Sequence, residues 1–306
     1  MVGELNSKLQ FVNKYDDIDI NIEELHSQFN RKTSSFFFKL KLYPTLLLIY
    51  LGLWERLIDS GNIRYYFEEF SNYWTSSLKG RPLRIHDFFY LYSNYRGKFH
   101  SIEIKDNSTA DEFLNTWQKK ENIFLVFQSV YKYALYPISF YPYKNYIRRA
   151  NQILEYGCGV APITQSCLRF SIKEQQCFTI ADIRSFSFHY AKYQLSKFEK
   201  VTFIDIPPHK PVQFPKKFDL VFLMTVIEHL PDPLEVLQGI TNNLNDDAIL
   251  IFDFVKSEGK GLDTIEALRQ RKEVLDFINS NYSLISGKFY FEKSMGTTIV
   301  KKRDRK

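Results

Sequence analysis

From Gln152 onward, short apolar runs alternate with longer stretches whose apolar residues recur at helical spacing. The runs are QILEY (152–156), QCFTIADI (176–183), KVTFIDI (200–206), KFDLVFLMT (217–225) and DAILIFDFV (247–255). Between them lie PITQSCLRFS (162–171), opened by a proline suited to a first helical turn, SFSFHYAKYQLSK (185–197) and PLEVLQGITNNL (233–244). Nearly continuous apolar strands alternating with helices predict an α/β fold, with a parallel sheet covered on both faces. NNLNDD (242–247) reads as a polar turn before the fifth strand, and YSLISGKFYFEKSMGTTIVKKR (282–303) as two further strands paired antiparallel at one side of the sheet.

The first half has a different rhythm. NIEELHSQFNRK (21–32), TLLLIYLGLWERLIDSGNIRYYFEEFSNYWTSSL (45–78) and NSTADEFLNTWQKKENIFLVFQSVYKYALY (107–136) carry helical spacing, with a break at Ser60-Gly61 and a cap at Asn107, Ser108 or Thr109. These patterns predict a mainly helical domain over 1–149 and a sheet domain over 150–306, joined by the aromatic and basic stretch 134–149. The longest apolar run, 42–54, contains a proline and is too short to span a bilayer. The N-terminus lacks the pattern of a signal peptide.

Composition narrows the chemistry. The 306 residues include 28 Phe and 20 Tyr but only 12 Gly, so closely spaced glycines stand out. A formal charge of +6 is mild for this length; it permits anionic substrates without requiring nucleic acid. Three cysteines with no C-x-x-C spacing argue against a disulfide scaffold and fit a reducing cytoplasm. No histidine and carboxylate spacing marks a metal site.

The first strand ends in Glu155 and runs into Gly157-Cys158-Gly159, then Pro162. Such a turn brings backbone close to a ligand beyond the carboxyl end of the strand, and the next helix is expected to present free N–H groups there. No G-K-S/T follows, which argues against a phosphate-cradling P-loop, and G-x-G-x-x-G is incomplete because Pro162 stands at its last position. Asp182, at the end of the second strand and 27 residues after Glu155, suits the two hydroxyls of a ribose. Asp205, near the end of the third, suits an adenine amino group or a solvated loop.

Four segments in this order, ILEYGCG, IADI, FDLVFLMTVIEHLPDP and AILIFDFV, resemble the class I S-adenosylmethionine-dependent methyltransferases over roughly residues 150–302, in the small-molecule group with an E-H-L segment after strand four. The resemblance implies a Rossmann-like seven-stranded sheet, mostly parallel with an antiparallel last strand. It implies S-adenosylmethionine as cofactor and S-adenosylhomocysteine as product. Glu155, Gly157, Cys158 and Gly159 match the segment facing the methionine part, Asp182 and Ile183 the ribose segment, and Asp205 and Ile206 the adenine segment. Leu223 and Met224 match the end of strand four. Asp219 matches a structural position. Ala161 stands where many members have glycine.

His229, just past strand four, is the candidate general base, and Glu228 a candidate hydrogen-bonding brace. Tyr133, Tyr136, Tyr141, Tyr143 and Tyr146, interleaved with Lys132, Lys144, Arg148 and Arg149, read three ways: a pocket for a small anionic or aromatic acceptor, an RNA-stacking surface, or packing against the sheet. The helical half suits a lid or a homodimer surface. The function expected is methyl transfer to an oxygen or nitrogen of a small metabolite. The alternatives are a methyltransferase of RNA or protein, or a non-catalytic cofactor-binding scaffold.

Overall fold

The computed structural model describes residues 51, 62–78, 82–83, 85–105, 108–135, 137–170, 175–207, 212–256 and 261–303. The helix expected at 21–32, the break at Ser60-Gly61, most of the apolar run 42–54 and the cap candidate Asn107 lie outside them. The chain divides into two compact units.

The first unit comprises the described residues up to His100 together with Lys120–Pro137. Its helices are α1 (Asn62–Ser76), α2 (Ile85–Phe99) and α4 (Ile123–Leu135). Helix spacing on each places a phenylalanine inward. Phe70, Phe88 and Phe127 meet with ring centroids 5.1–5.6 Å apart, in edge-to-face arrangements that favour aromatic pairs. Trp74 joins them at 6.1 Å from Phe127. Much of the chain's aromatic content in this half is therefore core.

The second unit comprises Ser101–Lys119 and Ile138–Lys306. Relative to the expected boundary at 149/150, it takes in two earlier segments. One holds α3 (Ala110–Trp117), which starts on a reciprocal cap: the Thr109 hydroxyl accepts from Glu112 N–H at 3.3 Å, and the Glu112 carboxylate accepts from Thr109 N–H at 2.8 Å. The helix expected across 107–136 is thus two helices, parted by a short turn at Lys120–Asn122. The other holds the short α5 (Lys144–Ile147).

Its sheet has seven strands in the order β3-β2-β1-β4-β5-β7-β6. They are β1 (Gln152–Tyr156), β2 (Cys177–Asp182), β3 (Val201–Asp205), β4 (Phe218–Leu223), β5 (Leu244–Phe254), β6 (Tyr282–Ser286) and β7 (Met295–Lys302). Strands β1 to β5 pair in parallel, and β7 runs antiparallel to both β5 and β6. Alternate strand residues serve opposite faces. Ile153, Leu220 and Phe222 pack with α6 (Pro162–Phe170) and α7 (Phe186–Leu195) on one side. Leu154, Val221 and Leu223 pack with α8 (Pro233–Asn242) and α10 (Arg271–Asn281) on the other. Burial on both faces is why the strands read as unbroken apolar runs.

NNLNDD is not a separate turn before β5, as expected: Leu244 through Asp247 lie inside the strand. The register jumps from Phe218↔Leu244 to Leu220↔Ile249, and Asp247 has φ 62°, so the polar residues are extruded as a bulge within a continuous pairing. Asp219 anchors the nearby strand starts: its carboxylate accepts from Asn151 and Gln152 N–H, each at 2.9 Å, and from the Asn245 amide at 2.7 Å.

Candidate functional site

Strand order reverses between β1 and β4, so the loops leaving these neighbouring strands meet beyond their carboxyl ends, where open α/β sheets take ligands. Gly157 and Gly159 have φ 61° and 54°. A side chain at Gly157 would put its Cβ 2.5 and 2.6 Å from the two methyl carbons of Val226 in the loop after β4. Gly157 is thus required twice, by its backbone and by the close approach of the second loop. At Gly159 the nearest atom to such a Cβ would be Ser187 Cβ at 4.0 Å, which leaves room beside that backbone. Ala161 holds φ 54°, a left-handed conformation costly for a residue with a Cβ.

Glu155 is buried and its carboxylate binds the start of α6. One oxygen accepts from Ile163 N–H at 3.2 Å; the other accepts from Thr164 N–H at 2.9 Å and the Thr164 hydroxyl at 2.7 Å. The expectation that the helix start offers free N–H groups is corrected here: a carboxylate one strand away neutralises them, as the dipole favours. Gly157 and Cys158 N–H both go to Ala181 O, and Ala161 N–H to Cys158 O. Asp182 accepts from Gly159 N–H at 2.6 Å and Ile183 N–H at 2.7 Å, tying the end of β2 to the glycine loop. Burial pushes Glu155 up to about 7 and Asp182 up to about 6, against the pull of their hydrogen bonds. Two desolvated carboxylates at the ends of the neighbouring strands β1 and β2 favour a ligand carrying positive charge.

Asp205 is ion-paired with Lys192 and, at 3.4 Å, with Arg184, so both oxygens already face cations. Ile206 packs on the core, and its N–H donates to Asp182 O at 2.8 Å. Leu223 is fully buried; Met224 is half-buried at the end of β4. Burial raises the Cys158 thiol well above its ordinary range, making it an inert packing residue.

Beyond β4, Thr225 has φ 56° and its N–H donates to Asp253 at the end of β5. His229 Nδ1 lies 2.9 Å from Asp263 Oδ1 and 3.1 Å from Leu262 O, so Nδ1 carries a proton and Nε2 is left for proton exchange. Burial alone would push this imidazolium down. The hydrogen bond to Asp263, with the charges of Glu228 and Asp263, outweighs it and leaves the pKa raised. Trp117 packs edge-on to the imidazole at 5.5 Å and 78°. Glu228 is 3 % exposed, and its Oε2 has no hydrogen-bond partner among the described residues.

Tyr141, Tyr143 and Tyr146 of the second unit differ in their surroundings. Tyr143 packs on Phe222 at 5.4 Å and Tyr146 on the same core face, while Tyr141 is exposed with Lys144 4.5 Å above its ring. Tyr133 belongs to the first unit, and Tyr136 lies outside the described residues. Trp117, Val226, Asp253 and Asp263 were not singled out from sequence. Asp253 alone leaves a trace there, as an acid ending a buried strand.

The seven-stranded sheet, mostly parallel with β7 antiparallel, is the Rossmann-like sheet the sequence predicts. Residues 154–250 match the family model described as a methyltransferase domain. No curated protein matches the chain. Among solved structures, the chain resembles the N-methyltransferase NodS from Bradyrhizobium japonicum WM9 in complex with S-adenosyl-L-homocysteine (11% identity, 70% of this chain, 99% of that one, TM-score 0.40). It also resembles the pyocyanin biosynthetic protein PhzM (14%, 78% and 71%, TM-score 0.43) and PH0226 from Pyrococcus horikoshii OT3 (15%, 56% and 92%, TM-score 0.41). S-adenosylmethionine is the cofactor such a domain implies, and the residues fit it. The loop is open at Gly159, the acids are desolvated, and Val160 has the one backbone N–H between Gly157 and Gln165 without a hydrogen bond.

Proposed function

We propose that this protein transfers the methyl group of S-adenosylmethionine to a nitrogen or oxygen of a small metabolite. The observation that carries the reading is the tie between Asp182 and Gly159, which sets an acid and an open glycine backbone together where the strand order reverses. When bound, the cofactor supplies an electrophilic methyl on a sulfonium. In this reading the Asp182 carboxylate takes the ribose hydroxyls with the lone pairs its two N–H bonds leave. The glycine loop, with Val160 N–H, receives the methionine carboxylate. Glu155 keeps the first turn of α6 in place and contributes negative potential toward the ammonium and sulfonium. The backbone carbonyls of Leu223 and Met224 line the methionine side.

His229, held by Asp263 through Nδ1, keeps Nε2 available as the base for an oxygen acceptor. Despite burial, the Asp263 carboxylate holds the His229 pKa above that of an ordinary imidazole, making it a stronger base than a free histidine. Three free thiols suit a cytoplasmic setting, and among the described residues no helix is long and apolar enough to cross a membrane. The test is incubation with methyl-labelled S-adenosylmethionine and a cell extract separated into small molecules, RNA and protein. Label in the small-molecule fraction is expected; label confined to RNA or protein would replace the acceptor class.

A further inference from the structure

In and beside the loop after β4 are two buried polar atoms of opposite sense with no hydrogen-bond partner among the described residues: the acceptor Glu228 Oε2 in the loop, and the donor Nε1 of Trp117 at the end of α3, whose ring packs against His229. Leaving such atoms unpaired is destabilising, a cost a bound ligand removes. The other charged groups are already matched. Asp263 faces His229 and Asp253 holds Thr225 N–H. Arg271, close enough for its charge to reach Glu228, spends its donors on four backbone carbonyls: Phe291 at 3.0 Å, Phe254 at 3.2 Å, Tyr290 at 2.9 Å and Lys293 at 2.6 Å. Glu228 is therefore a buried carboxylate with no cation hydrogen-bonded to it, in a neighbourhood where the three carboxylates Glu228, Asp253 and Asp263 outnumber the two cations His229 and Arg271. Such surroundings repel a carboxylate or phenolate acceptor and attract an ammonium.

We propose that Glu228, His229 and Trp117 form the acceptor subsite and that it takes an amine, which makes the enzyme an N-methyltransferase. This rests on the methyltransferase reading above and names its substrate class. The amine arrives as an ammonium hydrogen-bonded to Glu228, while Trp117 Nε1 donates to an oxygen elsewhere on the acceptor. One ammonium proton passes to the Glu228 carboxylate, whose burial raises its pKa to about 7 and suits it to that transfer. The freed nitrogen lone pair forms the N–C bond to the methyl carbon as the C–S bond breaks, with its electron pair retained by sulfur as a thioether. The product leaves as a methylated ammonium, and Glu228 returns its proton to solvent.

The test uses the full chain, methyl-labelled S-adenosylmethionine and a cell-derived small-molecule extract divided by cation exchange into retained and unretained pools. Label is expected in the retained pool, on nitrogen by mass spectrometry. Label in the unretained pool alone, or in neither pool while calorimetry still registers S-adenosylhomocysteine binding, overturns the amine assignment and leaves the cofactor reading intact. Absence of that binding means failure of the broader reading instead. Glu228→Gln is expected to lower labelling of the retained pool at least a hundredfold while changing the S-adenosylhomocysteine Kd less than threefold. Trp117→Phe is expected to raise KM for the amine identified with kcat little changed. Unaltered labelling in Glu228→Gln would also overturn the proposal.

Discussion

Replacing Gly157 with alanine tests the junction of the two loops, because structure assigns its cost to two separable sources. The first is backbone: an alanine at φ 61° costs about 1–2 kcal/mol in the left-handed region. The second is a clash: the new Cβ would sit 2.5 and 2.6 Å from the Val226 methyls, about 1 Å inside the 3.5–4.0 Å at which carbons rest. Val226 is 5 % exposed and cannot swing out, so overpacking adds about 1–3 kcal/mol. Gly157→Ala is therefore expected to destabilise by about 2–5 kcal/mol in total. Val226→Ala removes both offending methyls and costs about 2 kcal/mol by itself in lost burial. The double variant should then be more stable than the sum of the singles by about 1–3 kcal/mol, the clash having vanished and the backbone strain remaining. Urea titration of the four proteins measures this cycle. Additivity within about 0.5 kcal/mol would mean the loops do not touch as described and would refute the reasoning.

Two further outcomes follow from single groups. Glu155, at about 7 in the fold against an ordinary 4.5, keeps a proton between those pH values that the unfolded chain has lost. Its contribution to stability therefore falls as pH rises from about 4.5 to 7, by up to about 3 kcal/mol. Glu155→Gln does not titrate, so the stability advantage of wild type over this variant should shrink by that amount across the window; an advantage that grows with pH contradicts the burial argument. Arg271→Met strands four carbonyls that hold the connection between β6 and β7 against β5, and should cost about 3–5 kcal/mol by the same urea titration. A loss below 1 kcal/mol would show that the clamp is replaced by water.

Much of the sheet was legible because parallel strands buried on both faces announce themselves. QILEY and KFDLVFLMT contain β1 and β4, and Pro162 opens α6 as its position suggested. The Gly157 turn was legible as well, since scarce glycines in a left-handed loop have few other uses. What escaped depended on contacts between distant segments. Nothing in NNLNDD shows that pairing with β4 continues across it; the bulge at Asp247 becomes visible only with the partner strand in place. The short helix α9 (Ile265–Arg269) and α10 are not legible in the sequence, because charged surfaces mask a single buried residue, Ala267, in the one and a narrow buried stripe at Val274, Leu275 and Ile278 in the other. The partners of Glu155 lie eight and nine residues on, which spacing alone did not suggest. His229 was found by its place after β4, but Asp263 and Trp117, which set its proton and its wall, come from segments 34 residues later and 112 earlier.

The central claim is that the loop bounded by Gly157, Gly159 and Asp182 holds S-adenosylmethionine. Isothermal calorimetry of the full chain with S-adenosylhomocysteine, repeated on Asp182→Ala with circular dichroism confirming its fold, tests it most directly. One saturable site in wild type, weakened at least tenfold in the variant, is the result predicted. No heat of binding in the folded wild type, or equal affinity in both proteins, would contradict it.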